Sequence, residues 1–260
     1  MSVPGFPNFP DKHGHDAIIS PSEQVARFLD SSNLNVPEAA ILTYQNLIPG
    51  YLAEHGFAPF DGYPGPWRTL WLPTDHHGPS IGIANGFGFG APAAAKVLED
   101  LIALGVQRFI SIGAAGCLDP DIGFGDVVVC TAAIRDEGLS HHYLPSEKFS
   151  YPSPALTTRL AEVLSERSVP HHSGPTWTVD TPYRETVAEA RSYQAEGVLT
   201  VEMEAAGLFA VADYRSVEIA SAFIVSDHLL AGERWSHAFG SVELRRGSID
   251  LLESCLALLS

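Results

Sequence analysis

Between Val198 and Asp227 an apolar stretch, a helix of small residues and a second apolar stretch follow one another, and three carboxylates stand at the ends of these elements. Val198–Val201 reads as a strand, Ala205–Tyr214 as a helix and Ile219–Ser226 as a strand. The alternation continues upstream. Arg108–Gly113 and Val127–Ile134 are apolar runs of strand length. Ala91–Leu104 places Val97, Leu98, Leu101 and Ile102 on one helical face, with Gly105 set to cap it. Leu156–Arg167, Glu185–Glu196 and the amphipathic Ser241–Leu259 read as further helices. Nearer the start, Ala17–Ser20 reads as a first strand and Pro21–Leu29 as a helix opened by Pro and Ser, while Leu70–Leu72 and Ser80–Ala84 read as strands around a TDHHG turn. Strands that alternate with helices imply an α/β domain, its central mixed, twisted sheet flanked by helices on both faces. No internal repeat or linker divides it, so residues 17–260 are expected to form a single domain behind an irregular, Pro- and Gly-rich arm over residues 1–16.

Composition narrows the function. The formal charge of −16 argues against a nucleic-acid partner and against adsorption to anionic membranes. It leaves room for a small nucleotide or nucleoside, since one pocket can differ from the whole surface. Cys117, Cys130 and Cys255 are odd in number and widely spaced, which suggests a reducing compartment and no zinc site of the usual spacing. There is no apolar run of about 18 residues and no signal-like start, so a cytoplasmic protein is expected.

The chemistry gathers at the ends of the strands. A carboxylate at the mouth of a buried element loses solvation unless something pairs with it. Glu202 and Glu204, with Met203 between them, open a helix, and Ser226–Asp227 ends a strand. Macrodipole-favoured acids and a helix N-cap are the ordinary alternatives. After Arg108–Gly113, the small residues Gly113, Ala114, Ala115 and Gly116 let a ligand approach the backbone, and open α/β sheets bind ligands beyond the carboxyl ends of their strands. NGFGFG (85–90) lacks the GxGxxG spacing of a dinucleotide turn. The histidine pairs at 76–77, 141–142 and 171–172 lack metal-helix spacing, so neither a metal nor another cofactor is expected.

Four segments, NGFGFGAPAA, IGAAGCLDPDIGFGDVVV, AIRDEGLSHHYLP, and GVLTVEMEAAGLFAVA with its downstream IVSD, resemble the nucleoside phosphorylase and nucleosidase superfamily over roughly residues 80–230. That superfamily includes uridine phosphorylases, hexameric purine nucleoside phosphorylases and methylthioadenosine nucleosidases. The resemblance implies a nucleoside phosphorylase-like fold and cleavage of an N-glycosidic bond. It implies that Glu204 accepts hydrogen bonds from the ribose hydroxyls, that Met203 packs on the sugar, and that Glu202 supports Glu204 or edges the base. It implies that Asp227, next to Ser226, protonates or hydrogen-bonds purine N7 as the base departs. Tyr183 would stack on the base and Arg184 hydrogen-bond an exocyclic oxygen. Asp227 favours a purine or purine-like base, whereas the pattern around Tyr183 looks more like a uridine phosphorylase. A homo-oligomer, dimer or trimer of dimers, is implied, with His13 or His15 of one copy reaching a neighbour's sugar.

The chain departs from the family where phosphate binds. The family's first loop, Gly-Asp-Pro-x-Arg, is read at Ser20–Gln24, which puts Gln24 at the arginine. Its Arg-x-Gly-Ser/Thr is read at Ser111–Ala114, with both the arginine and the hydroxyl missing. Losing two such contacts weakens anion binding by roughly 1.5–3 kcal/mol each. Hydrolysis is therefore favoured, with Glu23 as the base that activates water. The alternative is phosphorolysis to free base and ribose 1-phosphate, with phosphate as co-substrate and Arg68, Arg135 or a neighbour's arginine supplying charge. A non-catalytic nucleoside-binding protein is the alternative of another class.

Overall fold

The structure, a computed structural model, describes residue 9 and residues 12–29, 36–60, 69–75, 81–229 and 235–260. At the centre of its sheet lies β1 (Ala39–Thr43), buried along its whole length and paired in parallel with β4 (Ile81–Asn85) and β5 (Arg108–Cys117). AAILT shows no polar alternation because helices cover both faces. Ala40 and Leu42 enter the core cluster that holds α3 (Ala91–Leu104) and α7 (Ala205–Arg215). Ala39 and Ile41 enter the one that holds α2 (Ile48–Glu54), α5 (Pro154–Glu166) and α8 (Val242–Leu259).

Beyond β4 the sheet continues antiparallel through β3 (Thr69–Pro73) and β2 (Phe57–Pro59). On its other side it closes on itself. β10 (Glu218–His228) pairs in parallel with β5 and antiparallel with β6 (Val127–Asp136). β6 pairs in parallel with β8 (His171–Val179), β8 with β9 (Thr200–Glu202), and β9 returns antiparallel to β5. The five strands form a ring, which removes free edges around the place where the strand ends converge. β7 (Phe149–Ser150) is added to β6, and β11 (Ser236–His237) to the end of β10.

The expected mixed sheet with helices on both faces is present. One strand is misplaced: Ala17–Ser20 forms bends, with Ile18 and Ile19 exposed, and the first strand is β1. The helix expected at Pro21–Leu29 forms as α1, and its Val25 packs into the cluster of α3. α3 spans its expected range and ends on Gly105 at φ 113°. β5, β6 and β10 run on to Cys117, Asp136 and His228, past the expected ends: β5 through small residues, β6 and β10 because Arg135–Asp136 pair with β8 and Asp227–His228 with β5 and β11. The turn expected at 74–78 and the pair His76–His77 fall partly or wholly outside the described residues. Among the described residues no helix is long and apolar enough to cross a membrane.

Candidate active site

The carboxyl ends of β1, β5, β9 and β10 open into one cavity of about 1170 Å³. Each wall follows from a local feature of the chain. At the end of β5, Ala114 is exposed to the cavity although it lies within a buried strand. At Gly116 a Cβ would sit 2.4 Å from Leu229 Cδ1 and 3.2 Å from Asp227 Oδ2, so a side chain there would push Leu229 and crowd Asp227. Gly113 does not line the cavity; the Tyr44 ring lies against it, 3.2 Å from where a Cβ would be.

Glu202 and Glu204 divide their work. Glu202 is buried, and its Oε2 accepts from the backbone N–H groups of Glu204 and Ala205, both at 2.8 Å. Its Oε1 accepts from the Thr178 hydroxyl, which itself accepts from Ala206 N–H at 3.0 Å. Glu202 thereby satisfies the orphan donors at the start of α7. Burial, and then the charge of Glu204, push its carboxyl up to about 8, against the pull of those hydrogen bonds. Glu204 accepts from Gly90 N–H at 2.5 Å and from the backbone N–H of Met203. Burial raises it to about 7. Gly90, at φ 88°, is the last residue of NGFGFG, so the glycine-rich turn holds the sugar-binding candidate. Both carboxyls thus stand above the ordinary carboxylate range, with burial as the first cause. Met203 lies beside it, half-buried on the cavity wall.

Asp227 follows a register slip in the pairing of β10 with β5 between Val225 and Asp227. Such a bulge re-aims a side chain. Asp227 Oδ1 lies 2.7 Å from the Ser226 hydroxyl, and Oδ2 accepts from the Trp235 indole N–H at 2.8 Å. Ser226, buried, also reaches Ala115 O at 3.2 Å. Glu185, half-buried on the same cavity, is pushed up to about 7 by burial and by the charge of Asp227.

The other expected site residues are placed differently. Tyr183 is fully exposed at the rim, and Arg184 is exposed and does not line the cavity. Glu23 is exposed on α1 and does not line it either. The cause is the misplaced first strand: because β1 ends at Thr43, the loop that reaches the cavity is Tyr44–Leu47, not Ser20–Gln24. Tyr44 stands edge-on to Phe87, with centroids 5.2 Å apart, and its hydroxyl lies 3.1 Å from Ser111 Oγ. Arg135 is turned elsewhere, donating to Ser140 Oγ, Pro145 O and Leu144 O. Arg68 lies outside the described residues. His13 bonds within its own chain, its Nε2 3.1 Å from His141 O. Tyr44, Glu185 and Trp235 were not expected at the site, and only Glu185, next to the singled-out Arg184, carried a usable signal.

The cavity, lined by two glutamates and by the aspartate after the β10 slip, lies at strand ends, where α/β sheets take small molecules. The chain belongs to the phosphorylase superfamily, whose family model matches residues 76–257. It is 32% identical to a guanosine phosphorylase of Halorubrum lacusprofundi over 147 residues, 56% of this chain and 61% of that protein. It is 34% identical to a uridine phosphorylase of Salmonella typhimurium over 135 residues, 46% of this chain and 53% of that protein. The chain thus spans somewhat more than half the length of these curated relatives. The crystal structure of a purine nucleoside phosphorylase from Toxoplasma gondii in complex with immucillin-H superimposes with a TM-score of 0.76 over 86% of this chain and 91% of the other, at 20% identity, and shares its fold.

Proposed function

We propose that this protein cleaves the N-glycosidic bond of a nucleoside by phosphorolysis, releasing the base and ribose 1-phosphate. The observation that carries the reading is the convergence of Glu204, Met203 and Asp227 on one cavity at the strand ends. A carboxylate offers about four acceptor positions. Glu204 has spent two on backbone N–H groups, and the rest suit the ribose hydroxyls. As the bond to C1′ lengthens, the sugar gains positive charge, which the neighbouring carboxylates stabilise. Negative charge grows on the base, where Asp227 hydrogen-bonds or protonates it, most simply at N7 of a purine. Phosphate attacks C1′ from the side of Ala114–Gly116 and the Tyr44–Leu47 loop. Gln45 in that loop has a buried side-chain oxygen without a partner among the described residues. The names of the relatives, guanosine and uridine phosphorylase, support phosphate over the water favoured by the sequence.

One observation favours water instead. The position read as the family's arginine is Ser111, and it bonds the Tyr44 hydroxyl, so a neutral pair stands where a cation was expected. A panel of purine and pyrimidine nucleosides, incubated with and without phosphate, separates the two. Base release that requires phosphate and yields ribose 1-phosphate supports phosphorolysis. Release of free ribose, indifferent to phosphate, shows hydrolysis; ligand binding without release shows a binding protein.

The rim supports a homo-oligomer. Phe89, Tyr183, Trp235 and Phe239 are each more than half exposed around one opening, and apolar patches of this kind mark surfaces that another chain covers.

A further inference from the structure

Resting on the reading that Asp227 acts on the departing base, we propose that Trp235 is a positioning residue that fixes the plane of the Asp227 carboxylate. Asp227 follows Ser226, the residue the β5–β10 ladder skips, and resumes pairing opposite Gly116 and His237, so the slip re-aims its side chain. Each of its oxygens is held by one neighbour, Oδ1 by the Ser226 hydroxyl and Oδ2 by the Trp235 indole N–H. The two holds differ in kind. Ser226 Oγ has a second acceptor in Ala115 O, so its proton is divided between them. An indole N–H is a donor only, with one direction, and here its acceptor is Asp227.

The placement of Trp235 follows from the topology. β11 pairs antiparallel with the end of β10, Asp227 opposite His237 and His228 opposite Ser236; continued by one residue, that register sets Trp235 across from Leu229, within reach of Asp227 two residues back. The indole also packs near the His237 and Phe239 rings, with centroids 4.7 and 6.0 Å away. The ring thus has aromatic neighbours in addition to the Asp227 carboxylate that takes its N–H. Two bonds leave about two of the four acceptor positions of the carboxylate open. Those lie in the plane that the indole sets, and one of them carries the proton when Asp227, in its protonated form, donates to the base.

Trp235→Phe keeps the ring and removes the N–H. Its kcat is expected to fall about tenfold, as small misplacements at reacting centres do, with KM for the nucleoside within about twofold and the melting temperature unchanged. In an Asp227→Asn background the same change should cause no further loss, because a residue acting through another is non-additive with it. Without any substrate, the indole ¹⁵N–¹H resonance of Trp235, assigned by its absence in Trp235→Phe, should shift in Asp227→Asn, where a charge-assisted bond becomes a neutral one. An unchanged kcat, an equal loss in both backgrounds, or an indole resonance indifferent to Asp227→Asn overturns the proposal. If the wild type turns over no nucleoside, the function fails by itself, and the resonance still decides whether the indole holds Asp227.

Discussion

The raised carboxyls of Glu202 and Glu204 give the site its clearest pH signature. Both carboxyls lie above their ordinary value of 4.5, Glu202 at about 8 and Glu204 at about 7, with burial as the first cause. The folded state therefore binds their protons more tightly than the unfolded chain does. Their contribution to stability is complete below about pH 4.5 and is lost as pH rises through 7 and 8. The ligand-free protein should melt progressively lower from pH 5 to pH 8. Glu202→Gln removes one of these groups and should flatten that slope in differential scanning fluorimetry. Activity moves the opposite way. Glu204 accepts ribose hydroxyls best when ionised, so kcat/KM should rise on the acid limb towards neutrality. Glu202, at about 8, is still largely protonated where Glu204 ionises, so Glu202→Gln should leave that limb in place. A limb that moves to lower pH would show that Glu202 carries its charge there.

At the scale of elements, the close approach of α3 and α7 joins packing to the site. Gly207 lies where a Cβ would stand 2.6 Å from Ala91 Cβ and 3.0 Å from Leu139 Cδ2. Ala91 opens α3 directly after Gly90, whose N–H holds Glu204. Gly207→Ala should force the helices apart, destabilise the fold by about 1–3 kcal/mol, and lower kcat/KM by loosening Glu204; thermal melts and steady-state kinetics read the two effects. The same elements show what the sequence discloses. α3 and α7 were legible because apolar or small faces recur at helical spacing, and VEMEAAG marked the α7 end of the site. β1 was not, because a five-residue strand covered on both faces has no period to read. That single omission moved the first loop from Tyr44–Leu47 to Ser20–Gln24 and carried Glu23 into a role its position on α1 does not support. Trp235 was illegible for another reason. Its partner is fixed by the β10–β11 pairing, which no local pattern announces.

The whole molecule sets a problem for an anionic nucleophile. The chain carries a formal charge of −16, and four carboxyl groups, Glu185, Glu202, Glu204 and Asp227, line the cavity. Among the described residues that line it there is no lysine, arginine or histidine. A protein-wide negative field lowers the local concentration of phosphate, and salt screens such a field. The expected outcome is that KM for phosphate falls as ionic strength rises from about 20 mM to about 200 mM, because the Debye length then shortens from about 20 Å to about 7 Å. A pocket that gathers phosphate with arginines behaves in reverse, since the same salt weakens its attraction. Measuring KM for phosphate across that range, with nucleoside saturating, therefore reports the sign of the charge around the nucleophile. A KM that rises with salt would place a cation at the phosphate site, from the segments outside the described residues or from a second copy of the chain. Velocimetric sedimentation across the same salt range distinguishes those sources: a phosphate site completed by a neighbour loses its salt-sensitive affinity when the assembly dissociates, whereas one completed within the chain keeps it.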